Sequence, residues 1–226
     1  MIPSLFITGT GTDVGKTHVS ALFVNSLQKS KRVAYLKPIA TGCVLEEGKE
    51  AIIPDAVSMR NDTKVNTFVP YAFEEPIAPY AIQKIHNISI DPQTIKETFQ
   101  ILQANYDFVL VEGIGGVAVP ILKDYFLSDL IGELGLPVIL VAHAHLGTIN
   151  HTLLSIEHLK EKEIPILGFV LNHISKQDPK DLSPINNAEI ITEVSGIPHL
   201  FTINFQQNFL TLPQEQNFYG ILDEKE

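Results

Sequence analysis

The sequence predicts an α/β fold, with a doubly wound and mostly parallel sheet flanked by helices. Three observations predict it. Six short runs rich in β-branched residues recur along the chain, helix-length amphipathic segments separate them, and most runs are apolar at successive positions. Strands that are buried on both faces of a parallel sheet have this continuous apolar character. Alternating strands and helices then imply right-handed crossovers, which place helices on both faces of the sheet.

The elements follow in order along the chain. The six runs predicted to be strands are 5–8, 33–36, 108–111, 138–141, 166–171 and 200–203. The segments predicted to be helices are 16–30, 92–106, 128–134, 149–162 and 184–195. The helix at 92 has a clear start, because Asp91 can cap it and Pro92 suits its first turn.

One uncharged stretch, residues 134–156, has the length of a membrane span. It contains no Asp, Glu, Lys or Arg, but Pro137, Gly147 and three histidines interrupt it. We therefore interpret it as a strand, a loop and the start of a helix rather than as a membrane segment.

Composition sets limits on function. A chain of 226 residues with 45% hydrophobic and 19% charged residues predicts one globular domain over 1–226. The formal charge of −10 argues against binding to nucleic acid or to an anionic membrane. The single cysteine, Cys43, cannot form an internal disulfide, and the N-terminus lacks the features of a targeting segment. These observations predict a cytoplasmic protein.

Two regions depart from the strand–helix rhythm. Residues 40–91 form an insertion that is rich in turns, with a short helix predicted near 55–60. Such an insertion at the ligand edge of a sheet is either a substrate-binding element or lid, or else surface decoration. Residues 206–226 are predicted to form a polar C-terminal tail.

The first strand leads into a glycine-rich loop, residues 9–17, which reads Gly-Thr-Gly-Thr-Asp-Val-Gly-Lys-Thr. Amide groups of such a loop, together with the start of the following helix, favour phosphate. Lys16 can reach the β and γ phosphates, and the Thr17 hydroxyl can ligate Mg²⁺. Five residues rather than four separate Gly9 from Gly15, and Val14 excludes a dinucleotide fingerprint. The loop predicts a site for a magnesium-bound nucleotide.

Two more strands end in charged residues. Lys37 follows the second predicted strand, and an unpaired ammonium would be costly in the core, so we expect it to face the phosphate site. Glu112 follows the run at 108–111 and suits a Mg²⁺ ligand. The alternatives are a lysine that reaches solvent and an exposed glutamate in a turn. Asp55, taken alone, is better explained as a helix cap.

The last strands end in polar residues. His143 and His145 lie two positions apart, but the sequence offers no further ligands for a zinc site. The helix start at Thr148 and Asn150 offers free N–H groups to an anion, for instance a substrate carboxylate. Asn172 can donate and accept in one plane, as recognition of a base requires, but asparagine is also an ordinary turn residue.

Taken together, the motifs resemble the dethiobiotin synthetase family, ATP-dependent carboxylases of biotin synthesis within the P-loop NTPase superfamily. The likeness extends to about Pro198. The motifs that carry it are 9–17 with its five-residue gap, 37–42, 54–56, 74–76, 111–116 and 146–151. Two positions depart from the family pattern: His173 follows Asn172, and residues 202–205 replace a Gly-x-Ile-Pro segment. The preferred nucleobase is left open.

The resemblance implies a homodimer that makes dethiobiotin from 7,8-diaminononanoate, CO2 and ATP through a carbamate and a carbamic-phosphoric anhydride. Lys16 and Lys37 would be catalytic, and Mg²⁺ would be held by Thr17, Asp55 and Glu112. The implied nucleotide-binding residues are Thr12, Asp13, Val14, Gly15, Lys16, Thr17, His18, Glu112, Gly115 and Asn172. The implied substrate-binding residues are Thr12, Lys37, Thr41, Gly147, Thr148 and Asn150, the last three acting across the dimer interface.

Two other functions compete with this one. A nucleotide-switch ATPase of the plasmid-partition or septum-positioning type would share the fold and a related phosphate loop. Such proteins usually need a membrane-seeking helix or a basic DNA surface, and the acidic end at 223–226 offers neither. A catalytically silent nucleotide-binding domain would not need Lys16, Lys37 and Glu112.

Overall fold

A seven-stranded parallel sheet forms the centre of the protein in a computed structural model that describes residues 2–44, 53–176 and 182–223. The strands are β1 (Ser4–Gly9), β2 (Val33–Leu36), β3 (Ile39–Ala40), β4 (Asn66–Phe68), β5 (Tyr71–Ala72), β6 (Phe108–Glu112), β7 (Pro120–Leu122), β8 (Tyr125–Phe126), β9 (Val138–His143), β10 (Ile166–Asn172) and β11 (His199–Ile203). The sheet order is β11-β10-β9-β1-β6-β2-β4. All six strand pairs in it are parallel, so every strand ends at the same edge.

Helices cover both faces of this sheet. They are α1 (Lys16–Leu27), α2 (Pro54–Thr63), α3 (Pro79–His86), α4 (Pro92–Asn105), α5 (Leu127–Leu134), α6 (Thr148–Glu161), α7 (Ser183–Ser195) and α8 (Leu212–Asp223). One core cluster contains residues of α4, α5, α6 and α7, and the other contains residues of α1, α2 and α8. Residues of β1, β2 and β6 point alternately into the two clusters, which explains why these strands are apolar at successive positions.

The six predicted strands and the five predicted helices are confirmed, with boundaries that shift by up to three residues. Asp91 caps α4, since its carboxylate accepts a hydrogen bond of 2.9 Å from the Gln93 amide. The uncharged stretch at 134–156 divides into β9, a loop and α6, as expected. None of the helices in the described parts of the chain is long and apolar enough to cross a membrane.

The insertion at 40–91 contributes to the main sheet as well as to its ligand edge. Its β4 pairs with β2 and forms the seventh strand, which the sequence pattern did not predict because β4 is only three residues long and partly exposed. The helix predicted near 55–60 is α2. A separate pair, β3 with β5, and the helix α3 complete the described part, while residues 45–52 lie outside it.

Residues 206–226 are predicted to be a polar tail, but most of them form the packed helix α8. Phe218 and Leu222, one helical turn apart, are fully buried. The ring of Phe218 stacks on Phe23 of α1 with a centroid separation of 4.2 Å. The polar composition of 206–226 concealed this narrow apolar stripe. Residues 224–226 lie outside the described part of the chain.

Candidate active site

The phosphate loop connects β1 to α1, and its backbone requires glycine at position 15. Gly15 has φ of 88°, a left-handed conformation, and a β-carbon placed there would clash with Nδ2 of Asn172. The next residue, Lys16, is buried, and its Nζ donates a 2.8 Å hydrogen bond to the Gly11 carbonyl. The loop is therefore closed by its own lysine and locked against the end of β10.

The ammonium of Lys16 is held in an unfavourable environment. Burial and, next, the nearby charge of Lys37 lower the pKa of Lys16 from 10.5 to about 8, although the carboxylates of Glu112, Asp55 and Asp13 partly oppose this. An anion with several negative oxygens would relieve both effects at once. Lys16 is thus placed where a phosphate group would stabilise its charged form.

A cluster of four side chains lies beside the loop, from α1, α2, β6 and the residue that follows β2. Lys37 Nζ lies 2.8 Å from Glu112 Oε1 and 2.8 Å from Asp55 Oδ2, and it donates a 3.2 Å hydrogen bond to the Gly113 carbonyl. The Thr17 hydroxyl lies 2.8 Å from Glu112 Oε1 and 3.1 Å from Asp55 Oδ1 and donates its proton to one of them. We call Thr17, Lys37, Asp55 and Glu112 the ion-pair cluster.

Burial makes the pairing in this cluster necessary. Lys37 and Glu112 are 4% and 0% exposed, whereas the Asp55 side chain is 38% exposed. Burial alone would lower the pKa of Lys37, but the charges of Glu112 and Asp55 outweigh it and raise that pKa. For Asp55 the signs are reversed: burial alone would raise its pKa, but the charge of Lys37 and the hydrogen bond from Thr17 outweigh burial and lower that pKa. Lys37 is therefore charged and Asp55 ionised at neutral pH.

A cavity of about 230 Å³ opens over the loop and the cluster, and we call it the phosphate-loop cavity. It brings together ten residues that the sequence placed in the site: Thr12, Asp13, Gly15, Lys16, Thr17, Lys37, Thr41, Asp55, Glu112 and Gly115. Ile114 also lines it, which sequence reasoning missed because an isoleucine between glycines carries no chemical signal. The insertion contributes Thr41 and Asp55, which favours a role in the site over surface decoration.

A second cavity of about 610 Å³, the Asn172 cavity, adjoins the first at Gly15. It is lined by Gly15, His18, Asn172, His173, Ile174, Phe205, Gln206 and Asn208. The Asn172 Nδ2 donates a 3.0 Å hydrogen bond to the Val14 carbonyl, so its buried Oδ1, which has no partner among the described residues, is available as an acceptor. The cavity suits a flat, polar group attached to a phosphate chain.

Residues after β11 form one wall of the Asn172 cavity, and sequence reasoning did not place Gln206 and Asn208 there. Gln214 of α8 holds this segment, since its Oε1 accepts hydrogen bonds from Gln207 Nε2 and from the Thr211 amide at 2.7 and 2.8 Å. Its Nε2 donates to the Thr202 carbonyl of β11 at 2.9 Å. Part of the segment predicted to be a polar tail thus forms and holds one wall of the Asn172 cavity.

The predicted substrate residues at the start of α6 lie apart from both cavities. Neither Gly147, Thr148 nor Asn150 lines them within this one chain. The Thr148 side chain is buried, with its Oγ1 3.4 Å from Oγ1 of Thr152, so Thr148 could meet a ligand only through its backbone, whereas Asn150 is exposed. A third cavity, of about 520 Å³, lies between Thr12, residues 116–120 and Leu154 of α6.

Four imidazoles gather near the same end of the sheet. The ring of His143 lies 5.9 Å from that of His145 and 6.2 Å from that of His151, and His145 lies 6.0 Å from His173. Within the described residues, no group of three or more His, Cys, Asp or Glu side chains has an arrangement that could hold a metal ion.

The ion-pair cluster nevertheless fits a magnesium ion of the kind that binds together with phosphates. Such an ion keeps several waters and takes only one or two carboxylates from the protein. Glu112 Oε2 is buried without a hydrogen-bond partner among the described residues, so this carboxylate has an unused acceptor. With Asp55 and the Thr17 hydroxyl it offers the oxygen donors that Mg²⁺ prefers.

Comparison with known proteins shows to which family the chain belongs. An AAA domain model matches residues 3–209. The ATP-dependent dethiobiotin synthetase BioD of Thermodesulfovibrio yellowstonii is 38% identical over 208 residues, covering 86% of this chain and 85% of the relative. That of Methanocaldococcus jannaschii is 36% identical over 214 residues, covering 91% and 95%. The chain belongs to the dethiobiotin synthetase family. These relatives are named as ATP-dependent enzymes, and this chain, as a member of their family, is an ATP-dependent ligase.

Solved structures confirm the fold. The septum site-determining protein MinD of Pyrococcus horikoshii, solved with Mg-ADP, superimposes with a TM-score of 0.59 and covers 97% of this chain and 94% of its own. At 19% identity this likeness shows the shared P-loop ATPase fold alone. The chain thus shares its fold with a septum site-determining protein, so the fold by itself does not decide the function.

Proposed function

We propose that this protein carboxylates 7,8-diaminononanoate with CO2 and closes the ureido ring of dethiobiotin, using ATP. The observation that carries the proposal is the phosphate-loop cavity, where two lysines, two carboxylates and a threonine hydroxyl from four separate elements meet. A switch ATPase needs the loop, whereas a second buried lysine that lines the same cavity suits a reaction with an acidic second substrate.

The proposed reaction has three steps. One amine of the diamine attacks CO2, forms a C–N bond and loses a proton, which leaves a carbamate. A carbamate oxygen attacks the γ-phosphorus, and ADP leaves, giving a carbamic-phosphoric anhydride. The second amine attacks the carbamoyl carbon, phosphate leaves, and a proton is lost as the ring closes.

The two lysines provide charge for the second step. Lys16, at the start of α1, faces the β and γ phosphates together with the loop amides, while Lys37 lies across the cavity where the carbamate would approach. Phosphoryl transfer depends mainly on such positioning and charge stabilisation. Thr12, which lines both the phosphate-loop cavity and the third cavity, and Thr41 would orient the diamine.

Thr17, Asp55 and Glu112 would hold Mg²⁺. Bound there, the ion would neutralise charge on the β and γ phosphates. Asn172 and the rest of the Asn172 cavity would receive the base, and His18 lines that same cavity.

We also propose that two copies of the chain complete each substrate site. The turn at Gly147, Thr148 and Asn150 does not line the phosphate-loop cavity of its own chain, yet a helix start suits a substrate carboxylate. Next to that turn, Leu146 is 83% exposed and Leu154 is 63% exposed, as residues of an interface between copies would be. Sedimentation of the purified protein would test the dimer.

The test of the reaction is the dependence of phosphate release on substrates. We expect release from ATP only when the diamine acid and bicarbonate are both present, with dethiobiotin detected by mass spectrometry. Brisk hydrolysis without the diamine, accelerated by DNA or by anionic vesicles, would contradict the proposal and favour a switch ATPase.

A further inference from the structure

The ion-pair cluster has an internal cation where the metal is proposed to bind. Lys37 Nζ contacts Asp55 Oδ2 and Glu112 Oε1 at 2.8 Å each, and among the described residues its third polar contact is the Gly113 carbonyl at 3.2 Å. An ammonium has three protons, and these three oxygens accept them. The lysine thus takes up the same two carboxylates that a metal ion would need.

The two cations compete for these carboxylates, because Lys37 already occupies one oxygen of each. Mg²⁺ binds oxygen at about 2.0–2.1 Å, so a metal on the Glu112 and Asp55 oxygens would lie within about 5 Å of the Lys37 nitrogen. With Lys37 and Glu112 buried, water would screen that repulsion poorly. Metal binding is therefore opposed as long as Lys37 stays paired with the carboxylates.

A buried ammonium needs another anionic partner before it can leave. Lys37 lines the phosphate-loop cavity, so nucleotide phosphate or a carbamate bound there offers that partner. Without such an anion, release of Lys37 would leave a buried positive charge unpaired, which is costly.

We propose that Lys37 acts as a placeholder cation, which excludes free Mg²⁺ from the ion-pair cluster until a phosphate or carbamate draws it away. The proposal rests on the metal site proposed above. It makes metal and nucleotide binding mutually dependent, and it keeps the two carboxylates neutralised while the site waits for ATP.

The test measures binding of Mn²⁺, as a paramagnetic substitute for Mg²⁺, by electron paramagnetic resonance in the absence of nucleotide. Lys37→Met should bind Mn²⁺ more tightly than the wild-type protein, by roughly 5- to 150-fold if the coupling is of ordinary size. The matched control is Lys16→Met, which removes the same charge from the same cavity but from a lysine that donates to Gly11. It should change the affinity far less.

Three results would overturn the placeholder role: no gain in Lys37→Met, an equal gain in Lys16→Met, or Mn²⁺ binding to the nucleotide-free wild-type protein as tight as in its ADP complex. The last measurement needs no variant, so it decides the matter even if Lys37→Met folds poorly. Thermal melts add a second readout, since Mg²⁺ alone should raise the melting temperature of Lys37→Met but not that of the wild-type protein.

Glu112→Gln separates this proposal from the metal site on which it rests. If Glu112→Gln leaves Mn²⁺ binding in the ADP complex unchanged, the proposed metal site is wrong. If Glu112→Gln abolishes that binding while Lys37→Met gains none, the metal site stands and the placeholder role alone is wrong.

Discussion

The phosphate-loop cavity and the Asn172 cavity meet at Gly15 but are built in opposite ways. The first is lined by charged side chains from α1, α2, and the ends of β2 and β6, and these side chains pair with one another. The second has neutral amides, histidines and one aromatic ring, and a loop held by α8 forms one wall.

Under the proposed function, the phosphate-loop cavity carries the chemistry and the Asn172 cavity recognises the nucleotide. Buried strand ends fix charges to within hydrogen-bond distances, which stabilisation of a developing charge requires. A loop wall changes easily and supplies contacts that act on the bound nucleotide and on the transition state alike. We therefore expect changes in the first cavity to lower kcat and changes in the second to raise the KM for ATP.

The largest expected effect is on turnover when either lysine is removed. Lys16→Ala and Lys37→Ala should each lower kcat by about 10²- to 10³-fold, because in the proposed reaction each lysine stabilises charge on the transferring phosphoryl group or on the carbamate. Steady-state assays of dethiobiotin formation measure this. Normal turnover in either variant would contradict the catalytic roles.

The two variants should differ in stability. Lys37→Ala leaves Glu112 buried beside Asp55 without a cation, which costs about 3–5 kcal/mol when one partner of a buried pair is lost. Lys16→Ala releases an ammonium that burial already disfavours, so its free energy of unfolding should not fall comparably. Urea denaturation of both variants makes this comparison.

The second expected effect is on the pH profile. Since the pKa of Lys16 is about 8, kcat/KM for ATP should fall about tenfold per pH unit above that value as the ammonium is lost. The same group acts on stability in the opposite direction. Its pKa is lower in the folded than in the unfolded state, so its contribution to the free energy of unfolding rises with pH between about 8 and 10.5.

Lys16→Arg is the control for this profile, because arginine stays charged throughout the range. The decline near pH 8 should disappear in Lys16→Arg, whatever its absolute rate. If the decline persists unchanged in Lys16→Arg, the titration of another group causes it.

A smaller effect is expected in the Asn172 cavity. Asn172→Ala leaves the Val14 carbonyl without its partner and removes the buried acceptor, which should raise the KM for ATP about tenfold with little change in kcat. Comparing ATP, GTP and CTP in the full reaction shows whether this residue also selects the base. A loss confined to kcat would place Asn172 in the chemistry instead.

The smallest effect is expected at Gln214, which contacts neither cavity. Gln214→Ala removes hydrogen bonds to the loop at Gln207 and Thr211 and should raise the KM for ATP by a few-fold, about the value of one net hydrogen bond. Gln103→Ala is a matched control, since that amide lies at the opposite end of the sheet near Ser4. An equal rise in the KM for ATP in Gln103→Ala would contradict a specific effect of α8 on the Asn172 cavity.

The sequence predicted more of the residues that line the phosphate-loop cavity than of those that line the Asn172 cavity. The strands that end at Lys37 and Glu112 are apolar throughout, so their ends and the charges there could be placed from pattern alone. The family likeness, rather than pattern, brought in Asp55, because a carboxylate at a helix start has an ordinary structural explanation.

What the sequence could not supply depends on contacts between distant segments. Lys16 donates to the Gly11 carbonyl, and Lys37 pairs with both Asp55 and Glu112. No rule of sequence spacing predicts these contacts. The role of 206–226 was missed for a similar reason. Two apolar residues in a polar stretch become a packed helix only because Phe23 of α1 lies opposite.

The position of β1 at the middle of the sheet also governs when the protein can fold during its synthesis. β1 pairs on one side with β6, where Ser4 meets Val109, and on the other with β9, where Phe6 meets Val138. The strand that precedes the phosphate loop is made first, yet both of its neighbours emerge from the ribosome much later. Until then the backbone N–H and C=O groups of β1 are unpaired and its apolar side chains are exposed, which favours aggregation. Contacts this distant in sequence also predict slow folding, so a chain that stalls before β9 is complete should depend on chaperones, whereas one released after it should not.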